Sequence, residues 1–262
     1  VDVYEAVASR RAVRAFRDDA VPRAVLERVL TAAARTPSGG NLQPWHTYVL
    51  TGAPLAELKK RTAERAAAGD PGDEPEYRMY PPEPKSPYRQ RRSAAAARRF
   101  EALGIRREDV AARRAAVAAN WRCFGAPCLL LCYIDRAMGS AQWSDLGMYL
   151  QTVMLLLRAE GLHSCAQMAW SVYHRSVAEV VSPAADLLLF AGLSIGFEDP
   201  SEPFTRTGRA PLAQTVTFLD DDAPSSPARR AGGLPGVRGR VVRAPSTPGA
   251  YGSLNVTGRQ QW

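Results

Sequence analysis

The 262-residue chain is 46% hydrophobic and 23% charged, with a formal net charge of +8. This mixture supports a sizeable core and excludes global disorder. The positive charge raises nucleic-acid binding, but the stretch from Asp221 to Trp262 alone supplies six arginines against two aspartates, a net of +4. The remainder is spread as Arg91-Arg92, Arg98-Arg99, Arg106-Arg107 and Arg113-Arg114, which reads as solvated helix faces. No nucleic-acid motif accompanies it, so no nucleic-acid partner is expected. Cys123, Cys128, Cys132 and Cys165 form no C-x-x-C pair and read as buried thiols of a reducing cytoplasm. His46, His163 and His174 lack metal-ligand spacing, so no metal site is expected. No signal peptide is recognisable, and the longest apolar runs fall short of the roughly 20 residues of a membrane span. A cytoplasmic protein without membrane association is expected.

In chain order, Asp2–Arg10 reads as a short helix on Val3, Ala6 and Val7. Pro22 suits a helical first turn, and Leu26, Val29, Leu30 and Ala33 follow at helical spacing. Thr36-Pro37-Ser38-Gly39-Gly40-Asn41 is a strong turn cluster. His46–Leu50 predicts a strand and Ala53–Ala68 a helix, followed by a Pro-, Gly- and acid-rich excursion over residues 69–87. Arg89–Leu103 and Glu108–Phe124 read as helices, and Ala126–Asp135 as a buried strand. Trp143–Glu160 reads as a helix apolar nearly all round, closed by Gly161 and suited to a core or a subunit interface. Cys165–Val172 reads as strand to loop, Leu187–Gly196 as a buried strand and Thr215–Leu219 as a last strand. The pattern predicts an α+β domain over residues 1–220, with helices around a mainly antiparallel or mixed sheet of about five strands. The Pro-, Gly- and Arg-rich residues 221–262 read as a disordered extension.

Three stretches can carry chemistry. In Ser9-Arg10-Arg11-Ala12-Val13-Arg14-Ala15-Phe16, three arginines in five residues are suited to clamp a phosphate, or form a solvated charge run at a helix end. In Pro37-Ser38-Gly39-Gly40-Asn41-Leu42-Gln43-Pro44-Trp45-His46, paired glycines admit close backbone approach to a ligand, and Ser38, Asn41 and Gln43 supply polar groups. A plain helix-to-strand turn is the other reading. It is neither a P-loop nor a G-x-G-x-x-G turn. Gly196-Phe197-Glu198-Asp199-Pro200 leads to Arg206 and Arg209, either of which suits the same phosphate as Arg10.

Together these blocks resemble the FMN-dependent nitroreductase family. The resemblance lies in Ser-Arg-Arg-x-x-Arg-x-Phe at 9–16, Pro-Ser-Gly-Gly-Asn-x-Gln-Pro-Trp at 37–45, and Gly196-Phe197 with Arg209. It covers about residues 1–219 and is loosest between 54 and 125. Phe124-Gly125-Ala126-Pro127, Trp143–Met148 and Cys165-Ala166-Gln167 resemble the nitrobenzoate-reductase branch. The resemblance implies an intertwined homodimer with FMN at two shared interface sites. Arg10 and Arg11 match positions near the ribityl phosphate and ribityl chain, and Arg14 a position near flavin N1. Pro37, Ser38, Gly39 and Asn41 match a segment donated by the partner subunit, with Gln43 close behind as a contact or as support. Arg209 matches a phosphate contact. Ala166, Gln167 and Met168 lie where backbone amides face flavin N5. Thr207 stands where relatives carry a second basic residue, which makes Arg206 the candidate replacement.

The implied reaction is ping-pong. NAD(P)H reduces the flavin through N5, and a nitroaromatic or quinone-like acceptor then takes the electrons, with Arg14 stabilising negative charge on the reduced flavin. No catalytic side chain is implied. The same scaffold serves FMN-dependent oxidases, dehydrogenases and dehalogenases, which form the second reading. A basic nucleic-acid-binding protein is the remote third.

Overall fold

The structure, a computed structural model, describes residues 1–204 and 206–219. Contacts divide the chain into two units after Gly208. The first contains strands β1 (His46–Thr51), β2 (Cys128–Asp135), β3 (His163–Gln167) and β4 (Leu187–Gly196) in the order β1-β2-β4-β3. Every neighbouring pair is antiparallel. Around them lie α1 (Val3–Ser9), α2 (Arg23–Ala33), α3 (Gly52–Ala67), α4 (Tyr88–Ala102), α5 (Val110–Ala118), α6 (Ser140–Ala159) and α7 (His174–Val181).

The run Cys128–Ile134 is continuously apolar because both sheet faces are covered. Cys128, Leu130, Cys132 and Ile134 pack with Leu26 and Val29 of α2 and with Leu146, Val153 and Leu157 of α6. Leu129, Leu131 and Tyr133 point the other way, to Leu55 and Leu58 of α3, Trp170, and Val177 of α7. Alternation within a fully buried strand requires apolar residues at every position. All four cysteines are free and buried. Burial pushes the Cys123, Cys128 and Cys132 thiols up to about 12, which leaves them inert as nucleophiles at neutral pH.

Several boundaries differ from the sequence reading. Thr215–Leu219 alternates like a strand but forms none, so the sheet has four strands among the described residues rather than five. A strand is stabilised by its ladder, and no described strand pairs with this segment. The helix expected over Glu108–Phe124 stops at Ala118 and becomes a 3-10 turn in which Cys123 and Phe124 both take φ of +53°. Helix α6 starts at Ser140, before Trp143, and ends at Ala159, with Gly161 just beyond it at φ +74°. The expected segment 165–172 begins earlier, at His163, and leaves the strand after Gln167. Helix α7 had no counterpart in the sequence reading. The extension proposed for residues 221–262 lies outside the described residues.

The excursion after α3 is fastened at its start. Arg65 donates to Asp70 at 2.7 Å, to Asp73 at 2.9 Å and to Ser176 Oγ at 2.9 Å. The Asp73 amide donates to the Val172 carbonyl at 2.7 Å, and the Asp73 carboxylate accepts from the Arg175 amide at 2.9 Å. Gly72, at φ +101°, lies so close that a Cβ would sit 2.3 Å from Val172 Cγ1. Further along, β4 carries an extra residue, because Cys132 pairs with Ala191 and Tyr133 with Leu189. The skipped residue is Phe190. Its carbonyl accepts from Tyr77 Oη at 2.5 Å, so the bulge becomes an anchor for the excursion.

Candidate active site

The Arg10–Phe16 stretch leaves α1 and crosses the ends of β3 and β4. Val13 N donates to Ser164 O at 3.1 Å, Phe16 N to Phe124 O at 3.1 Å, and Arg17 N to Phe197 O at 2.9 Å. Val13 and Phe16 are buried and fix the register, while Arg14 is exposed and Arg10 and Arg11 are half-buried. Gly196 keeps this crossing close, since a Cβ there would lie 2.9 Å from Pro127 and 3.1 Å from Phe16. The arginines are not equivalent. Arg11 forms an ion pair with Glu198 and stacks on the Phe204 ring, with Cζ 3.7 Å from its centroid. Arg206 donates to the Ala8 carbonyl. Arg14 makes neither a hydrogen bond nor an ion pair among the described residues. Arg209 opens the second part of the chain.

Glu198 is shared with His163, whose Nε2 lies 3.3 Å from the carboxylate. His163 Nδ1 is buried without a hydrogen-bond partner among the described residues. Burial, then the Arg158 and Arg11 charges, push His163 below its ordinary value, against the pull of Glu198. As pH falls below about 6.5, the unfolded chain takes up a proton that the folded chain refuses. Stability is therefore lost on the acid side through this group. His163→Gln is expected to flatten the acid limb of thermal midpoint against pH between about 5 and 7. An acid slope unchanged from wild type would contradict this.

Strand β3 lies at the sheet edge beside these arginines. Ala166 is exposed between buried Cys165 and buried Gln167, so a small, open position faces outward there. Met168 begins the following 3-10 turn and is half-buried. The Gln167 side chain is committed inward. Its amide donates to Asn120 O at 2.8 Å, and its carbonyl accepts from Ser194 Oγ. Only its backbone can face a ligand. The Cys165 thiol is raised by burial and drawn back down by Arg14, Arg99 and Arg10 in turn, so the charges of three arginines reach one strand position. Arg99, on α4, was not among the sequence candidates. It donates to Ala116 O at 2.8 Å and lies 5.7 Å over the Phe124 ring.

The Pro37–Gln43 loop is shaped by its own bonds. Gln43 N donates to Ser38 Oγ at 2.9 Å, and Gln43 Nε2 to Asn41 O at 3.2 Å. Gly40, Asn41 and Gln43 all have positive φ, and a Cβ at Gly40 would meet nothing within 4 Å. Pro37, Gly39 and Asn41 are exposed. The Gly39 amide donates to the buried Asp145 carboxylate at 3.2 Å, which ties the loop to the start of α6. Ser9, by contrast, accepts from Arg158 at 3.2 Å near the end of α6. Asp145 and Arg158 lie roughly 20 Å apart at about 1.5 Å of rise per residue. One chain therefore does not bring the arginine block and the Pro37–Gln43 block to one site.

Two clefts lie elsewhere. One of about 220 Å³ is lined by Glu76, Tyr133, Arg136 and His174, and one of about 380 Å³ by Arg61, Arg65 and Arg175. Neither contains a candidate residue, so the chemistry of the arginine block, not cavity size, marks the site. Among the described residues no group of three or more His, Cys, Asp or Glu is arranged to hold a metal, and no helix is long and apolar enough to cross a membrane.

The family model described as Nitroreductase family matches residues 7–196. The chain belongs to the nitroreductase family. It is 34% identical over 227 residues to a 4-nitrobenzoate reductase of Nocardioides sp. (strain LMS-CY), covering 85% of this chain and 92% of that one. It is 34% identical to a nitrobenzene nitroreductase of Ectopseudomonas oleovorans, covering 84% and 97%. Among solved structures, the FMN- and NADPH-dependent nitroreductase NfnB from sphigopyxis sp. strain HMH superposes with a TM-score of 0.81 at 40% identity, covering 84% of this chain and all of that one. The matched span of this nitroreductase runs from α1 through β4, so the arginine block, the glycine loop and β3 all fall inside it.

Proposed function

We propose that this nitroreductase is an FMN-dependent NAD(P)H oxidoreductase that reduces nitroaromatic acceptors, acting as a cytoplasmic homodimer with shared sites. The observation that carries the reading is the set of cations around exposed Ala166. Arg14 and Arg10 both act on Cys165, and Arg14 has no anionic partner among the described residues. Charge left uncompensated beside an open strand edge suits an anionic, planar ligand. The donor set fits FMN: guanidinia for phosphate, backbone amides at Ala166 and Met168 for a heterocycle edge, and an unobstructed glycine loop. FMN supplies the two-electron relay between nicotinamide and nitro group.

In this reading Arg10, with Arg209 and Arg206, holds the phosphate. Arg11, steadied by Glu198, borders the ribityl chain. Arg14 stabilises negative charge near the pyrimidine ring as reduction proceeds. Pro37, Ser38, Gly39 and Asn41 reach the site from the second subunit, with Gln43 supporting that loop. The separation of the two blocks along α6 favours this arrangement, because a second copy can bring the loop to the arginines. The exposed faces of Val3, Tyr4 and Val7 on α1, which packs on α6, and of Met148 on α6 supply an apolar surface for that copy. Residues 1–220 form the cofactor-binding domain in this reading, with 221–262 as an extension.

The purified protein is expected to be yellow and to release FMN on denaturation. It should turn over a nitroarene with NADH or NADPH, and elute as a dimer by size exclusion with light scattering. Colourless protein that cannot be reconstituted with FMN would overturn the reading, and a monomer that holds FMN would overturn the shared site.

A further inference from the structure

We infer that Arg99 is a specificity-determining residue that pairs with the carboxylate of an aromatic acid acceptor, so that the site prefers anionic over neutral nitroarenes. This rests on the proposed flavin chemistry but concerns a different group. Arg99 projects from α4, outside the arginine block and the glycine loop. Its position is fixed at two points: a 2.8 Å hydrogen bond from Nη2 to the Ala116 carbonyl and a 5.7 Å approach over the Phe124 ring. Phe124 O in turn accepts from Phe16 N at 3.1 Å, which draws the Arg14 stretch to the same place.

Arg99 is half-buried, and among the described residues no carboxylate pairs with it or with Arg14. Burial, and then the Arg14 charge, act against its ionised form, while Glu202 only partly compensates. A half-buried cation that feels the charge of another is costly unless an anion completes it. A guanidinium anchored through one nitrogen still offers further donors in a fixed fork, the geometry that matches a carboxylate. Helix α4 follows the excursion and lies outside the cofactor blocks, so the donors fall to whatever α4 covers. Neighbouring Arg98 and Arg92 are exposed, and Arg92 stacks on Tyr80, with Cζ 4.1 Å from the ring centroid. The inward role is specific to Arg99.

The test uses the FMN-loaded enzyme, with 4-nitrobenzoate and nitrobenzene as acceptors and benzoate as a non-reducible probe. Benzoate binding is read from the flavin absorbance, and FMN affinity is titrated separately. In Arg99→Gln, the benzoate Kd and the 4-nitrobenzoate KM are expected to rise about ten- to a hundredfold, the loss of one charge-assisted contact. The kcat for 4-nitrobenzoate, the kinetics with nitrobenzene and the FMN affinity should stay at wild-type values. Arg99→Lys should recover part of the benzoate affinity, because it restores charge without the fork. Equal loss with both acceptors, unchanged benzoate binding, or a fall in FMN affinity would each overturn the inference. If Arg99→Gln does not fold, benzoate affinity in Arg99→Lys decides: a wild-type value overturns it. A wild-type enzyme that binds FMN and benzoate yet reduces neither nitroarene would sink the proposed function instead.

Discussion

Arg10→Ala is expected to loosen FMN retention about ten- to a hundredfold, the worth of one charge-assisted contact in a partly desolvated site. Arg10 caps α1, with its amide on the Ala6 carbonyl, so the backbone aims its side chain from a fixed point. Its charge reaches Cys165 alongside those of Arg14 and Arg99. Arg11 makes a useful contrast. Glu198 already neutralises it, so Arg11→Ala should cost less cofactor affinity and more local order. Arg209→Ala should weaken retention in the same range as Arg10→Ala, about ten- to a hundredfold. The measurement is FMN titration of the apoprotein followed by flavin fluorescence. Unchanged affinity in both Arg10→Ala and Arg209→Ala would refute the phosphate assignment.

The second large effect is on stability. Trp170 is fully buried where β3 gives way to its 3-10 turn, and its indole lies close against Gly192 of β4. Trp170→Ala is expected to cost about 3–5 kcal/mol, transfer loss plus cavity. Gly192→Ala should destabilise from the opposite direction, because the new Cβ would lie 2.3 Å from Trp170 Cδ1. Overpacking of that kind costs about 1–3 kcal/mol or more. The two changes share one space, so the double variant should lose less than the sum of the singles. Urea unfolding of the four proteins measures this. Additive losses would mean that the indole and the glycine do not bear on each other.

The sequence made the sheet legible where burial is two-sided or turns are sharp. Cys128–Ile134 and Leu187–Gly196 announced buried strands, and Gly161 closed α6. Composition misled where a local pattern lacked a partner. Thr215–Leu219 alternates well, but no described strand pairs with it. Helix α7 leaves little trace in the sequence because it is short and is capped by Ser182 in a left-handed conformation, without a glycine. In the site, the arginine and glycine blocks were readable as motifs, but their distance along α6 was not. Nor was the commitment of Arg11 to Glu198 or of Gln167 to Ser194 and Asn120. Arg99 was hidden for a physical reason. Arg98-Arg99 looks like a solvated pair, and only the burial of Phe100 beside it marks that part of α4 as turned inward.

The fastening of the excursion at Asp70, Asp73 and Tyr77 separates two jobs along the chain. Among the described residues, the bonds that hold it down run to Arg65 of α3, to the Val172 carbonyl, to α7 and to the Phe190 bulge, and none of these runs to the arginine block, to the glycine loop or to β3. Residues beyond Tyr77, through α4 and α5, can therefore be exchanged as a cassette between relatives with different acceptors. Grafting that cassette between Tyr77 and Ala118, short of the Asn120 and Phe124 contacts to β3 and the arginine block, should carry over acceptor preference while the host keeps its own grip on flavin. Chimeras joined inside Asp70–Tyr77 would instead cut the fastening and should melt earlier.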